Sequence, residues 1–400
     1  MNWLIVEDAL RDQRGHWFEY IGALSRGLHA AGHRVTILSD RDAQPFIRES
    51  LGARPVLPPS IWHRMSEPAN RFVRLARIPR HAWATQRAVS RFLRIEGNDF
   101  DVAFIPTVLV HHMLGWHRLL RSGDLPSRMR LLFFFPNLPI TPDGKGDGSP
   151  SFRLLRWLLR SLHREIGSGQ VILGVETEAM LTAAEAAFGM KFVYFPHPVE
   201  AESAKPRPPG THPHQCVLAC YGPARHEKGS DLLVEAIRRY RAEHDTDRVR
   251  FVIQWIDDFV RPDGSKATIP ESLRSDPGVE IVSRYFREGE YVRRLEESDA
   301  LILPYRTSAY ALRVSRVVIE AMVHGIPVIA TKGTTLQAQA EHFGTCVACD
   351  DGDAASVAAA IARLVATHES LAELATARAP IARRHFSVET FLECLPVRQD

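Results

Sequence analysis

The sequence lacks an excess of either charge: 50 lysines and arginines stand against 47 aspartates and glutamates over 400 residues, a formal net charge of +3. That balance excludes a chain that holds nucleic acid through its overall field, so any electrostatic task falls to local clusters. Cysteine is scarce as well. Cys216, Cys220, Cys346, Cys349 and Cys394 are an odd set of five, which argues against a disulfide framework; with no secretory leader legible in "MNWLIVEDAL", they imply a reducing, cytoplasmic compartment. No apolar run approaches the ~20 residues that span a bilayer. Short-period repeats and long low-complexity segments are missing too, which excludes solenoid and fibrous architectures. A zinc site would need two ligand pairs. Cys346-x-x-Cys349 supplies one, and His212, His214, Cys216 and Cys220 supply only a loose second, so the cysteines read as small buried side chains and no metal ligand set is expected.

What the sequence does contain is ordinary globular composition, 45% hydrophobic and 24% charged, in a length that suits two or three domains. Strand-like runs ("WLIVED", "HRVTILSD", "FDVAFIPT", "RLLFFFPN", "QVILGVET") alternate with helical ones such as "WFEYIGALSRGLHAAG", the pattern of a parallel sheet covered by helices. Residues 199–214, "VEAESAKPRPPGTHPH", are proline-rich and aperiodic and read as a linker. Beyond them the alternation restarts with "CVLACYG", "SDLLVEAIRRYRAE", "RVRFVIQWI", "GVEIVSRYF", "ALILPY" and "AASVAAAIARLVATHE". The expected organisation is α/β, with two doubly wound Rossmann-like domains, residues 1–198 and 215–383, facing a central cleft.

One stretch carries an unusual residue. In "RVSRVVIEAMVHGIPVIAT", Arg313 to Thr331, a carboxylate, Glu320, interrupts an apolar helical run that stops at Gly325 and feeds a strand begun by Pro327. In such a unit the helix starts at the sheet edge where open α/β folds bind ligands.

Three patches together resemble a known family. "YGPARHEKGSDLLVEAI" is similar to G-R-x-x-x-E-K-G-x-D-x-L-x-x-A; "YVRRLEESDALILPY" to a helix, then "SD", then a strand ending in proline; and the stretch around Glu320 to E-A-x-x-x-G-x-P-V-I. In this order they resemble the GT-B retaining glycosyltransferases of the large group 1, or family 4, type. The resemblance implies transfer of a sugar from a UDP- or GDP-linked donor to a saccharide or lipid-linked acceptor of cell-surface polysaccharide synthesis, with retention of configuration, without a cofactor and without a metal at the diphosphate. It also implies a C-terminal helix, residues 384–400, crossing back to the N-terminal domain. A GT-B-like nucleotide-sugar 2-epimerase and a non-catalytic GT-B-like scaffold are the alternatives.

By resemblance, Glu320 accepts hydrogen bonds from the donor ribose, a task that suits an acceptor-only carboxylate. The diphosphate lies near the helix start, beside Arg313, Ser315 and Arg316. Lys228 matches the family lysine that meets developing negative charge on the leaving nucleotide. The family arginine falls at Pro223, which cannot replace it; Arg225, two residues on, and Arg313 are the substitutes. Leu312 stands where the family has its first glutamate, and the local pattern is similar to a Y-x-x-R-x-S-x-x-x-x-E variant built on Tyr310, Arg313 and Ser315. Tyr285 and Phe286 fall where the family brackets the base, though aromatic anchors at a strand end would look the same. The expected catalytic residues are therefore Lys228, Arg225 and Glu320.

In the N-terminal half, Gly15 and His16 follow the first strand, where a glycine lets backbone approach a phosphate or sugar. The family histidine falls at Pro136, beside Asn137; His111 and His112 are its substitutes, and His197 ends the last strand. The arginine-rich amphipathic segments "RFVRLARIPRHAWATQRAVSRFLR" and "SFRLLRWLLRSLHREIG" fit peripheral contact with an anionic membrane, and equally a helix packed on a sheet.

Overall fold

The computed structural model describes residues 1–13, 17–61, 71–97, 99–126, 128–200, 216–244, 248–287 and 289–396. Gly15, His16 and all but the first two residues of the expected 199–214 linker lie outside them. The chain divides into two compact units, Met1–Pro198 with Val388–Asp400, and Val199–Ser387.

The first unit is built on seven parallel strands: β1 (Asn2–Val6), β2 (Arg34–Asp40), β3 (Arg54–Leu57), β4 (Val102–Ile105), β5 (Arg130–Phe134), β6 (Val171–Val175) and β7 (Val193–Tyr194), in the order β3-β2-β1-β4-β5-β6-β7. The central strands are continuous apolar runs because helices cover both faces; "VAFI" of β4 is buried throughout. Phenylalanines lock one face. Phe134 meets Phe104 edge-on at 5.1 Å and Phe195 at 5.3 Å, and Phe391, from the C-terminal helix Val388–Glu393, lies 5.0 Å from Phe195. That helix fits because residue 27 is glycine: a Cβ there would stand 2.4 Å from Val388 Cγ2.

The second unit repeats the plan with β8 (Cys216–Cys220), β9 (Val249–Gln254), β12 (Val279–Val282), β13 (Ala300–Leu303), β14 (Val328–Thr331) and β15 (Cys346–Cys349), ordered β12-β9-β8-β13-β14-β15 and all parallel. A small antiparallel hairpin, β10 (Phe259–Val260) and β11 (Lys266–Ala267), sits outside that sheet. Asp258 belongs to this hairpin, accepting from Trp255 Nε1 at 2.9 Å and pairing with Lys266 at 3.1 Å. Cys346-x-x-Cys349 forms β15. Residues i and i+3 of a strand face opposite sides, and the two thiols join different apolar clusters, so they are not a ligand pair.

In each unit the chain order reverses beside the first strand, between β1 and β4 and between β8 and β13. The C-terminal ends of those strands form the crevice where doubly wound sheets take ligands.

Candidate active site

The second unit's crevice is made by two loops, Tyr221–Gly229 after β8 and Pro304–Ser315 after β13. Two glycines bring them together. Gly229 has φ +62° and a Cβ there would lie 2.0 Å from the Pro304 carbonyl oxygen, so only glycine lets the loops touch. Gly222 has φ +96°, and a Cβ would stand 2.5 Å from Lys228 Nζ. Lys228 therefore folds back over Gly222, with Nζ 5.7 Å from the centroid of the Tyr305 ring. Burial pushes its pKa down to about 8. The ammonium is poorly solvated, the state in which an incoming anion gains most from it.

Arg306 braces this arrangement. Its Nε donates to the His226 carbonyl at 3.0 Å and its guanidinium pairs with Asp231 at 3.2 Å, a carboxylate that Arg261 also reaches at 3.2 Å. Sequence reasoning passed over Arg306; its place directly after the "LPY" strand end was the available signal. Arg225 is exposed and pairs with Glu227 at 3.5 Å. Arg313 is half-buried, and its carbonyl, like that of Tyr310, accepts from Thr335 Oγ1, which fixes the loop entering the Glu320 helix.

That helix runs Arg316–His324, starting at the crevice edge. Ser315 occupies its N-cap in extended conformation, buried, and its side chain closes no capping bond. The first-turn N–H groups and the helix dipole thus favour an anion. Glu320 lies one turn in, half-buried, and both oxygens are engaged: Oε1 accepts from Arg316 Nε at 2.7 Å and Oε2 from the Tyr291 hydroxyl at 2.5 Å. A carboxylate oxygen has two lone pairs, so these bonds orient the group and leave acceptor capacity. Tyr291, from the helix Glu290–Glu296, was not foreseen.

The structure separates the aromatic pair. Phe286 packs against Tyr221 at 5.6 Å and Tyr291 at 6.0 Å as an anchor of the core, whereas Tyr285 is 47% exposed. In the sequence both are alike, being adjacent after a strand.

In the first unit, His197 is buried, bonded through Nδ1 to Glu176 at 2.6 Å and stacked on Tyr20 at 4.4 Å. His111 and His112 follow β4 and meet His81 and Asp8, two residues that sequence reasoning did not connect to them. Beside that group Glu7 is buried, and burial with the neighbouring Asp8 charge pushes its pKa up to about 8. A hollow of about 580 Å³ lined in part by Met1, Asp101 and Arg130 lies at the opposite end of the strands, away from the crevice.

Two Rossmann-like units with these strand orders define the GT-B fold, and the solved structures agree. A glycosyltransferase from Rickettsia africae superposes with a TM-score of 0.67 at 13% identity, covering 98% of this chain and 96% of its own. HepE from Anabaena, in complex with UDP, gives 0.66 at 15% identity over 98% of each chain, and a sucrose-phosphate synthase from Thermosynechococcus elongatus 0.64 at 15%, over 98% and 96%. Residues 215–367 match the family model described as glycosyl transferases group 1. The chain has the GT-B fold, and the family match falls within its second unit. No curated protein matches it by sequence.

Proposed function

We propose that this protein transfers a sugar from a nucleoside diphosphate sugar, bound by the second unit, to an acceptor held by the first, with retention of anomeric configuration and no metal at the diphosphate. The observation that carries this reading is the pairing, in one crevice, of an oriented carboxylate with an anion-ready helix start and a desolvated lysine. Glu320 accepts the ribose hydroxyls. Ser315, Arg313, Arg316 and the helix start receive the diphosphate, and Lys228, with Arg225 at the rim, meets the negative charge that develops as the sugar departs. Tyr285 is the ring offered to the base. The HepE structures with UDP and with UDP-glucose favour a uridine donor over GDP.

A lipid-linked acceptor at the cytoplasmic membrane face is the finer expectation. It is supported by the helix Pro150–Ser161, which buries Leu155, Leu158 and Leu159 and turns Arg153, Arg156, Arg160 and a 59%-exposed Trp157 outward. Among the described residues no helix is long and apolar enough to cross a membrane.

Calorimetric titration with UDP, GDP and ADP tests the donor site, and incubation with the corresponding UDP- or GDP-sugars tests turnover. One nucleotide should bind and its sugar should be hydrolysed or transferred. Epimerised donor would identify the 2-epimerase, binding without turnover would identify a scaffold, and no binding would remove the reading.

A further inference from the structure

The first unit's own crevice holds a cluster that the donor chemistry does not use. Asp8 lies two residues beyond β1, and His111 and His112 open the helix that follows β4. His81 comes from the long helix Arg71–Glu96. Gly115 lets those two helices close up, since a Cβ there would stand 2.4 Å from the Ala82 carbonyl oxygen. The result is a set of rings packed centroid to centroid at 5.4 Å for His81 and His112 and 4.1 Å for His111 and His112.

Three donor atoms converge. Asp8 Oδ2 is 3.0 Å from His81 Nε2 and 3.5 Å from His112 Nε2. The residues are 7%, 0% and 6% exposed, and none of these three buried atoms closes a hydrogen bond of acceptable geometry. A buried ion pair normally repays its desolvation only with well-aligned bonds, and a cation between these atoms would satisfy all three. The separations supply its size. Ligands at zinc-to-nitrogen or zinc-to-oxygen lengths of about 2.1 Å in a tetrahedron are about 3.4 Å apart, close to the 3.0 and 3.5 Å from Asp8 Oδ2 to the two imidazoles.

The far side of each ring is already tied. His112 Nδ1 lies 3.1 Å from the Thr107 carbonyl and 3.3 Å from the Leu109 N–H, and His81 Nδ1 stands 3.3 Å from His111 Nε2. A bound metal would select the tautomer with the protons on Nδ1, in which both Nε2 lone pairs face Asp8, as metal-bound histidines do when their second nitrogen is held by an outer partner. One nitrogen from each of His81, His111 and His112 also lies within 4.8 Å of the other two.

We propose that Asp8, His81 and His112 form a binding site for one divalent transition metal, zinc by the chemistry of the donors, with His111 as the outer partner and a fourth position open. Two imidazoles and one carboxylate suit zinc, whereas calcium and magnesium demand more oxygen ligands. The site is independent of the donor-binding reading, whose residues belong to the second unit.

Chelator-stripped full-length protein titrated with Co(II), with Zn(II) as competitor, tests the proposal. Wild type should bind one Co(II) saturably with the intense visible absorption of a four-coordinate nitrogen and oxygen site, and Zn(II) should bleach it and raise the thermal midpoint. Asp8→Asn and His112→Gln should abolish the band, and His111→Ala should weaken binding about 10–100-fold. His163→Gln, at an exposed histidine, should bind as wild type does. Absence of saturable binding in wild type, or an unchanged band in a folded His112→Gln variant, would overturn it. Should His112→Gln fail to fold, the wild-type spectrum still decides, because weak octahedral absorption would mean only surface histidines are occupied.

Discussion

Glu320→Ala perturbs stability and binding together, and the structure says how to separate them. The carboxylate bonds Arg316 Nε at 2.7 Å and the Tyr291 hydroxyl at 2.5 Å, with the Arg316 and Glu320 side chains 17% and 12% exposed. Alanine leaves the tyrosine hydroxyl without this partner and releases a partly screened ion pair, so folding should weaken by about 1–3 kcal/mol. If the same carboxylate receives ribose hydroxyls, nucleotide affinity should fall by about 1.5–3 kcal/mol, roughly 10- to 150-fold in Kd. Two further variants part the effects. Glu320→Gln keeps the volume and one acceptor oxygen but loses the charge, so it should stay folded near wild-type stability and still bind UDP at least about tenfold more weakly. Tyr291→Phe removes the anchor and frees Oε2, so it should lower the thermal midpoint while UDP binding holds within about threefold, a difference under 1 kcal/mol. Calorimetric titration and thermal unfolding on the same preparations give both quantities. A Glu320→Gln variant that binds UDP as tightly as wild type would refute the reasoning and leave Glu320 as an anchor for Tyr291.

Other expectations follow from single contacts. Lys228 has a pKa depressed by burial to about 8; its ammonium is present below that value and lost above it, so UDP affinity should decline from pH 7 to pH 9.5 by at most about one log unit per pH unit, and Lys228→Met should flatten that profile. Gly229→Ala meets the Pro304 carbonyl at a positive φ and should cost about 1–3 kcal/mol of stability, seen as a lower urea midpoint. Phe391 is fully buried among Phe104, Phe134 and Phe195, so Phe391→Ala should destabilise the first unit by about 3–5 kcal/mol in denaturant titration. Trp157→Ala should reduce cosedimentation with anionic vesicles and leave UDP binding unchanged; equal cosedimentation would remove that helix as a membrane contact.

Period and apolar density made most of the sheet architecture legible. "SDLLVEAIRRYRAE" is helix Ser230–Glu243 residue for residue, because its apolar stripe and both boundaries are local properties. Strands β3 and β15 were not read. Arg54–Leu57 carries a proline and an arginine, and Cys346–Cys349 is built of small residues whose burial comes only from neighbours. At the candidate site, sequence motifs named Glu320 and Lys228 but not what orients them. Tyr291 reaches Glu320, and Arg306 the loop that carries Lys228, from elements 29 and 80 residues away in sequence, the spans of the Tyr291–Glu320 and His226–Arg306 bonds. Nothing local marks such a residue.

The same limit explains why the histidine cluster escaped notice. Read singly, His81 on a basic helix, His111 and His112 at a loop end, and Asp8 after a strand each have an ordinary structural explanation, and their spacing fits no local ligand pattern. They become a set only because doubly wound topology places the ends of β1 and β4 side by side and Gly115 lets a third element close over them. Both units therefore gather charge at the same topological position. The second unit assembles cationic groups and a helix start from loops after β8 and β13, suited to an anion. The first assembles a carboxylate and imidazoles after β1 and β4, suited to a cation. Similar doubly wound sheets with opposite polarity at the crevice follow from a few loop residues, since the strands fix where the loops emerge and leave open what they carry.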